Sequence, residues 1–254
     1  MRKLRQNRSG QVLILAALAV ALMIASTIVY VYQTSRVLNE EHPFSPEEFV
    51  RIVKLGSRNL VIGGLANISY GGANQTLETN LDRWGSFVEA QYYFGECSLG
   101  FELCEDAPYS SGLRIIWEDN GSGITSAKVD FSLNLTSEGA DVDVVYLVNV
   151  TTSLSISAVS QWQQDYHEIN VTIHLYNEGE PALAKNLTVY YQNLFGAWVN
   201  AGSLDSYLLE DFGNGTYKGS FTVGPPRISD REIMVECYDQ REIYVEATTV
   251  CEDI

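Results

Sequence analysis

The chain holds 254 residues, 46% hydrophobic and 19% charged, with 16 Lys+Arg against 32 Asp+Glu for a net charge of −16. That apolar content excludes a disordered chain and suffices for one large or two small cores. Four of the cations, Arg2, Lys3, Arg5 and Arg8, fall in the first ten residues, so the remainder sets 12 cations against 32 carboxylates, a net of −20 that argues against binding nucleic acid by phosphate neutralisation.

Residues 11–32 carry no charge, and the apolar run from Val12 to Val31 has about the length one helix needs to cross a bilayer, about 20 residues. A cleaved secretory signal is the alternative, with Ala19-Val20-Ala21 as its small-x-small site, but the apolar stretch continues well past it. A buried soluble helix is the third reading. Four cations precede the segment, whereas Arg36 is followed by Glu40 and Glu41, which places the amino terminus in the cytoplasm and exports the rest. Tyr30 and Tyr32 suit the interfacial belt.

Arg8-Ser9-Gly10-Gln11, followed at once by this apolar segment, resembles the amino terminus of archaeal type IV pilin-like proteins. The resemblance implies cleavage of a basic leader between Gly10 and Gln11 by a prepilin peptidase, and a helix that bundles with copies of itself or with other pilin-like subunits. It covers about thirty residues. Ser9 stands where the family usually has a charge, and Leu15 where many bacterial pilins carry a carboxylate.

Of 14 Asn residues after position 36, eight begin Asn-x-Ser/Thr without Pro: Asn67, Asn74, Asn120, Asn134, Asn149, Asn170, Asn186 and Asn214. Ser and Thr fill 36 of 254 positions, so chance would supply about two of these triplets. The excess reads as glycosylation acceptors. Asn7-Arg8-Ser9 matches as well, on the cytoplasmic side. In Val129 to Leu135 and in Ile169 to Leu175 the apolar residues alternate, which turns Asn134 and Asn170 to the polar face. Four cysteines, Cys97, Cys104, Cys237 and Cys251, fit an oxidising exterior and structural disulfides. Three pairings are open; proximity favours Cys97 with Cys104 and Cys237 with Cys251. Free buried thiols are the alternative, and zinc spacing is lacking.

Past the apolar segment, Ser45-Pro46-Glu47-Glu48 combines an N-cap hydroxyl, Pro at the first helical position and Glu three residues after the cap. Phe49, Val50, Val53 and Leu60 supply the apolar stripe of that helix, and Gly63-Gly64 and Gly71-Gly72 punctuate a loop. A second helix is expected from Thr76 to Phe94, on Leu77, Leu81, Trp84 and Val88. From Gly112 the period changes to two, through Arg114–Trp117, Val129–Leu135, Val142–Val150 and Leu154–Ala158. The polar stretch Gln161 to Asp165 is a plausible boundary. Five further strands are expected: Ile169–Leu175, Leu187–Tyr191, Tyr217–Val223, Ile233–Cys237 and Ile243–Ala247. The phrases Asn170 to Gly179, Ala184 to Val189 and Asp211 to Tyr217 resemble Ig-like modules of prokaryotic surface proteins, which implies a sandwich and no particular activity.

Candidate chemistry is sparse. Asp141-Val142-Asp143 invites comparison with membrane-anchored glycosyltransferases, whose Asp-x-Asp holds a divalent cation on a sugar nucleotide; the plainer reading makes both carboxylates outward positions of a strand. No Gly-x-Ser-x-Gly elbow occurs. His42, His167 and His174 read as solvated. Glu102, Glu105 and Asp106 around Cys104 could collect Ca²⁺ but read as a disulfide-closed acidic surface loop. Tyr92, Tyr93 and Phe94, and later Tyr190, Tyr191 and Phe195, are two aromatic clusters that fit either a contact surface or the edges of a β core.

The expected protein is a membrane-anchored α+β chain: basic cytoplasmic leader 1–10, transmembrane helix 11–32, helix-plus-antiparallel-sheet domain 33–160 and Ig-like β-sandwich 161–254. Its expected role is that of a single-pass, cell-surface structural or adhesive glycoprotein, pilin-like at its amino terminus. No cofactor, metal or catalysis is expected, and its partners are the membrane, copies of itself and an unknown extracellular partner.

Overall fold

Ser45 caps the helix that begins at Pro46 as its sequence demands: its hydroxyl accepts from the Glu48 N–H at 3.2 Å. A computed structural model describes residues 45–93, 95–117, 120–137, 140–224 and 231–253. Residues 50–254 separate from those before them as a compact unit of their own. The expected transmembrane segment, the Gly10/Gln11 cleavage position and His42 lie outside the described residues, among which no helix is long and apolar enough to cross a membrane.

Helix α1 (Pro46–Ser69) buries Val53, Ser57, Val61, Gly64, Leu65 and Ile68, the i, i+4 stripe of an amphipathic helix. It runs through Gly63-Gly64, a pair expected in a loop. Packing overrides the weak helix propensity of glycine here: a Cβ on Gly64 would sit 2.9 Å from Leu77 Cδ1, so the close approach of the second helix needs a bare backbone. The chain leaves the helix at Gly71, whose φ of +93° suits glycine. Helix α2 (Gln75–Gln91) buries Leu77, Leu81, Gly85 and Val88. Trp84 lies between the helices; its indole N–H donates to Ser57 Oγ at 2.9 Å, and its ring leaves no room for a side chain at Gly56.

Thirteen strands follow: β1 (Gly95–Leu103), β2 (Leu113–Trp117), β3 (Ser122–Ser137), β4 (Ala140–Gln163), β5 (Tyr166–Asn177), β6 (Glu180–Pro181), β7 (Ala184–Gln192), β8 (Trp198–Asn200), β9 (Leu208–Asp211), β10 (Thr216–Val223), β11 (Glu232–Asp239), β12 (Tyr244–Val250) and β13 (Glu252–Asp253). They make two sheets. One is ordered β1-β3-β4-β5-β10-β9, with β2, β6 and β13 at its margins, and the other β12-β11-β7-β8. Every ladder is antiparallel except β13 with β4. Among the described residues the chain is thus β-rich, with two α-helices. Alternation is strict in the second half of β3, where Val129, Phe131, Leu133 and Leu135 are buried and Asp130 and Asn134 exposed.

β4 is one strand of 24 residues; residue 160, the expected domain limit, lies inside it. Its first half pairs with β3 and its second with β5. The second half belongs to a core shared by both sheets, with Leu154, Ile169, Ile173 and Phe221 on one side and Val189, Ile233, Val235 and Val245 on the other. Burying each such side chain stabilises by about 1.5–3 kcal/mol. The sheets also meet at the start of β3, where the Gly121 N–H donates to Thr248 O at 2.7 Å and the Thr125 hydroxyl to Tyr244 O at 2.8 Å. Tyr146 fixes α1 over the first half of β4: its hydroxyl is 2.9 Å from Ser57 Oγ and its ring stacks on Phe131 at 5.1 Å. β1 is a strand that the period-two pattern, traced only from Gly112, does not include, and it carries Glu102 of the expected acidic loop. It pairs only with β3, and as an end strand it buries Leu99 alone, so its alternation is faint.

Candidate functional site

All eight asparagines of the Asn-x-Ser/Thr triplets are exposed. The other described asparagines divide: Asn59 and Asn200 are exposed, whereas Asn80, Asn177 and Asn193 are half-buried. Asn134, Asn149, Asn170 and Asn186 owe their exposure to strand alternation. Asn120 and Asn214 sit in Asx turns, their Oδ1 accepting from Ser122 N at 3.1 Å and Thr216 N at 3.2 Å. Asn149 Oδ1 accepts from Thr151 Oγ1 at 3.3 Å, so the two polar members of that triplet already touch.

Two of the eight line one groove. It has a volume of about 660 Å³ between the end of α1 and the turn end of the second sheet, and Asn67 and Asn186 face it with Gly63, Tyr70, Lys185 and Tyr238. Asn186 is the cross-strand partner of Tyr238. The Tyr238 ring lies 6.1 Å from that of Tyr70 and 5.1 Å from that of Tyr244, which in turn meets Trp117 edge-on at 5.0 Å. Tyr70, at the groove mouth, is 76% exposed. The charges nearby are paired: Lys185 with Glu242, and Arg241 with Asp239 and Glu178. Tyr244 holds its proton far above the ordinary phenol value, because it is buried and because its hydroxyl donates to Glu246 Oε2 at 2.7 Å. This groove was not anticipated, since the register that sets Asn186 beside Tyr238 joins residues 52 positions apart.

The remaining candidates disperse. All four thiols are free. The two pairings by proximity are corrected by the strands: Cys97 lies on β1 and Cys104 just after it, with seven extended steps between them. Cys237 lies opposite Val245, whereas Cys251 hydrogen-bonds to Arg231, six residues before Cys237 on the same extended run. At about 3.3 Å per residue, each separation is near 20 Å, far beyond the 4.4–6.8 Å between Cα atoms that a disulfide spans. Burial pushes the thiols of Cys237 and Cys251 up to about 12 and that of Cys97 to about 11.

Asp141 and Asp143 are exposed on one face of β4, opposite Thr136 and Asn134. Glu102 lies on β1, Glu105 accepts from the Ser111 N–H at 3.0 Å, and Asp106 begins a turn closed by Tyr109; among the described residues no three His, Cys, Asp or Glu converge on a metal position. His167, read as solvated, is buried. It hydrogen-bonds Ser160 Oγ through Nδ1 at 2.9 Å and meets the Trp162 ring edge-on. His174 is half-buried beside Thr216.

The two aromatic clusters divide between interior and surface. Tyr92 is buried and Tyr93 exposed, while Phe94 lies outside the described residues. Tyr191 packs inward on Phe221, Tyr190 faces outward to Glu236, and Phe195, 91% exposed on a hairpin tip, borders a shallow concavity with Tyr191, Leu194 and Leu204. No known protein family matches the sequence, and no curated protein matches it.

Proposed function

We propose that this is a single-pass cell-surface glycoprotein with a structural or adhesive role, its N-terminal apolar helix serving as anchor or filament core and residues 50–254 facing the exterior. The observation that carries this reading is the exposure of all eight acceptor asparagines when the other five described asparagines are exposed only in part. An excess of triplets over chance and the uniform exposure of their asparagines are independent of one another, and glycosylation of an exported domain accounts for both. The Ig-like reading of residues 161–254 is supported by two sheets, antiparallel but for the short β13–β4 ladder, that share one core to which the second half of β4 adds Leu154, Ile156 and Ala158.

Within this reading the pilin-like route rests on Arg8-Ser9-Gly10-Gln11 ahead of the uncharged segment. Mass spectrometry of the protein isolated from membranes tests both parts. Glycopeptides at the eight sites support export, and bare asparagines throughout would overturn it. A mature chain beginning at Gln11 supports the filament, an intact Met1 the lone anchor.

A further inference from the structure

We infer that the groove between the end of α1 and strands β7 and β11 seats the chain's own sugars: N-linked glycans on Asn67 and Asn186 lie across Tyr70 and Tyr238. The inference rests on the glycosylation reading and adds a place for two of the glycans. Asn186 and Tyr238 are register partners on the outer face of the second sheet, so their Cβ atoms lie about 5 Å apart. Asn67 and Tyr70 are three residues apart near the end of α1, within hydrogen-bonded turns that close on Asn67 O. Two acceptor asparagines therefore flank two neighbouring rings, one from each side of the same concavity.

The chemistry of the groove selects a neutral, hydroxyl-rich ligand. Its cations are already matched, Lys185 by Glu242 and Arg241 by Asp239 and Glu178, so no unpaired charge draws an anion. A pyranose has an apolar C–H face that lies flat on an aromatic ring, while its hydroxyls reach amide and charged groups at the rim, the division of labour common to concave sites. Tyr70 offers such a ring at 76% exposure. The floor is open as well, since a Cβ on Gly63 would meet nothing within 4 Å.

Nitration of the full-length protein tests this, with tetranitromethane as the probe, peptide mass spectrometry as the readout and the protein isolated from a host that glycosylates Asn-x-Ser/Thr. Tyr93, 79% exposed and absent from the groove, is the internal reference. Tyr70 is expected to react several-fold less than Tyr93 in the glycosylated protein and comparably in the double variant Asn67→Gln/Asn186→Gln, whose substitutions fall at exposed positions. The same peptides report occupancy. Occupied sites with Tyr70 as reactive as in the double variant would overturn the seating alone. Protection that persists in the double variant assigns the cover to something else and overturns it too. Bare Asn67 and Asn186 would overturn the glycosylation reading at these sites and the seating with it. As a second readout, Tyr70→Ala is expected to lower the melting temperature more in the glycosylated protein than in the double variant, where only its ring contact with Tyr238 is lost; equal losses in the two would overturn the seating.

Discussion

Thr152 on β4 donates its hydroxyl proton to Asp239 Oδ2 at 2.9 Å, a bond between the two sheets across 87 residues of sequence. Asp239 is fully buried and all its acceptor capacity is used: Oδ2 also takes Arg241 Nε at 2.8 Å, and Oδ1 takes the N–H groups of Arg241 and Ile243 at 2.8 and 3.0 Å. Arg241 reaches back to Thr151 O at 3.1 Å and to Glu178 at 2.6 Å. The β11–β12 turn is thereby held to the middle of β4.

Removing one member of this network strands the others away from water. Asp239→Ala is expected to destabilise by about 3–5 kcal/mol, because Arg241 Nε, the Thr152 hydroxyl and two backbone N–H groups lose their acceptor, although Glu178 still pairs with the guanidinium. Thr152→Val should cost about 1–2 kcal/mol. Combined, the two should cost less than their sum, since they share a bond. Guanidinium unfolding of the three variants measures this, and additive effects would separate Thr152 from the network.

Two glycines of α1 should respond oppositely to the same change. Gly63→Ala places its Cβ in open space and should stabilise by about 0.5–1 kcal/mol through helix propensity. Gly56→Ala drives its Cβ into the Trp84 ring and disturbs the indole bond to Ser57, so it should destabilise by about 1–3 kcal/mol. Thermal unfolding distinguishes the two signs.

Much of this architecture was legible because period-two alternation is a local signal: the buried positions of β3 and β5, and the exposure of Asn134 and Asn170 between them, follow from neighbours two residues away. The Ser45 cap was legible for the same reason. What could not be read depends on distant partners. Gly63-Gly64 looks like a break until Leu77 is packed on it. β1 has a core contact at Leu99 and little else to mark it. His167 is polar by type, yet Ser160 and Trp162 give it partners in the interior. The groove needs a strand register and a helix end to meet, and neither Asn67 nor Tyr238 announces the other.

The thiols make stability depend on alkaline pH. Folded Cys237 and Cys251 keep their protons up to about 12, chiefly through burial, with Asp239 adding to the effect at Cys237. An unfolded thiol ionises near pH 8.5. The unfolded chain therefore binds fewer protons between these values, and stability falls as pH rises from about 8.5 toward 12 while it is intact below that window. Guanidinium midpoints measured from pH 7 to 10.5 should decline, and less steeply in Cys237→Val. At pH 8 iodoacetamide should leave both thiols unmodified until denaturant is added; prompt labelling of the native protein would contradict their burial.

Asp141 and Asp143 gain a physical role from the edge on which they stand. β4 pairs with β3 over its first half, and its other side meets β5 only from Thr152 onward. Thr151 turns its N–H and C=O to that other side, where Glu178 Oε1 and Glu178 N engage them at 3.1 and 3.0 Å. Strand alternation carries the backbone groups of Asp141, Asp143, Val145, Leu147 and Asn149 the same way, and no described strand pairs with them. With Val145 at 74% and Leu147 at 51% exposure, this is an open edge of the kind that recruits another strand. Two carboxylates on it oppose such pairing, because stacked copies would bring like charges together. Asp141→Thr with Asp143→Thr should therefore raise aggregation without lowering the unfolding midpoint, whereas Val145→Lys should reduce it. Static light scattering on concentrating the full-length protein is the measurement. Unchanged association in both variants would mean that this edge is guarded by something other than its carboxylates.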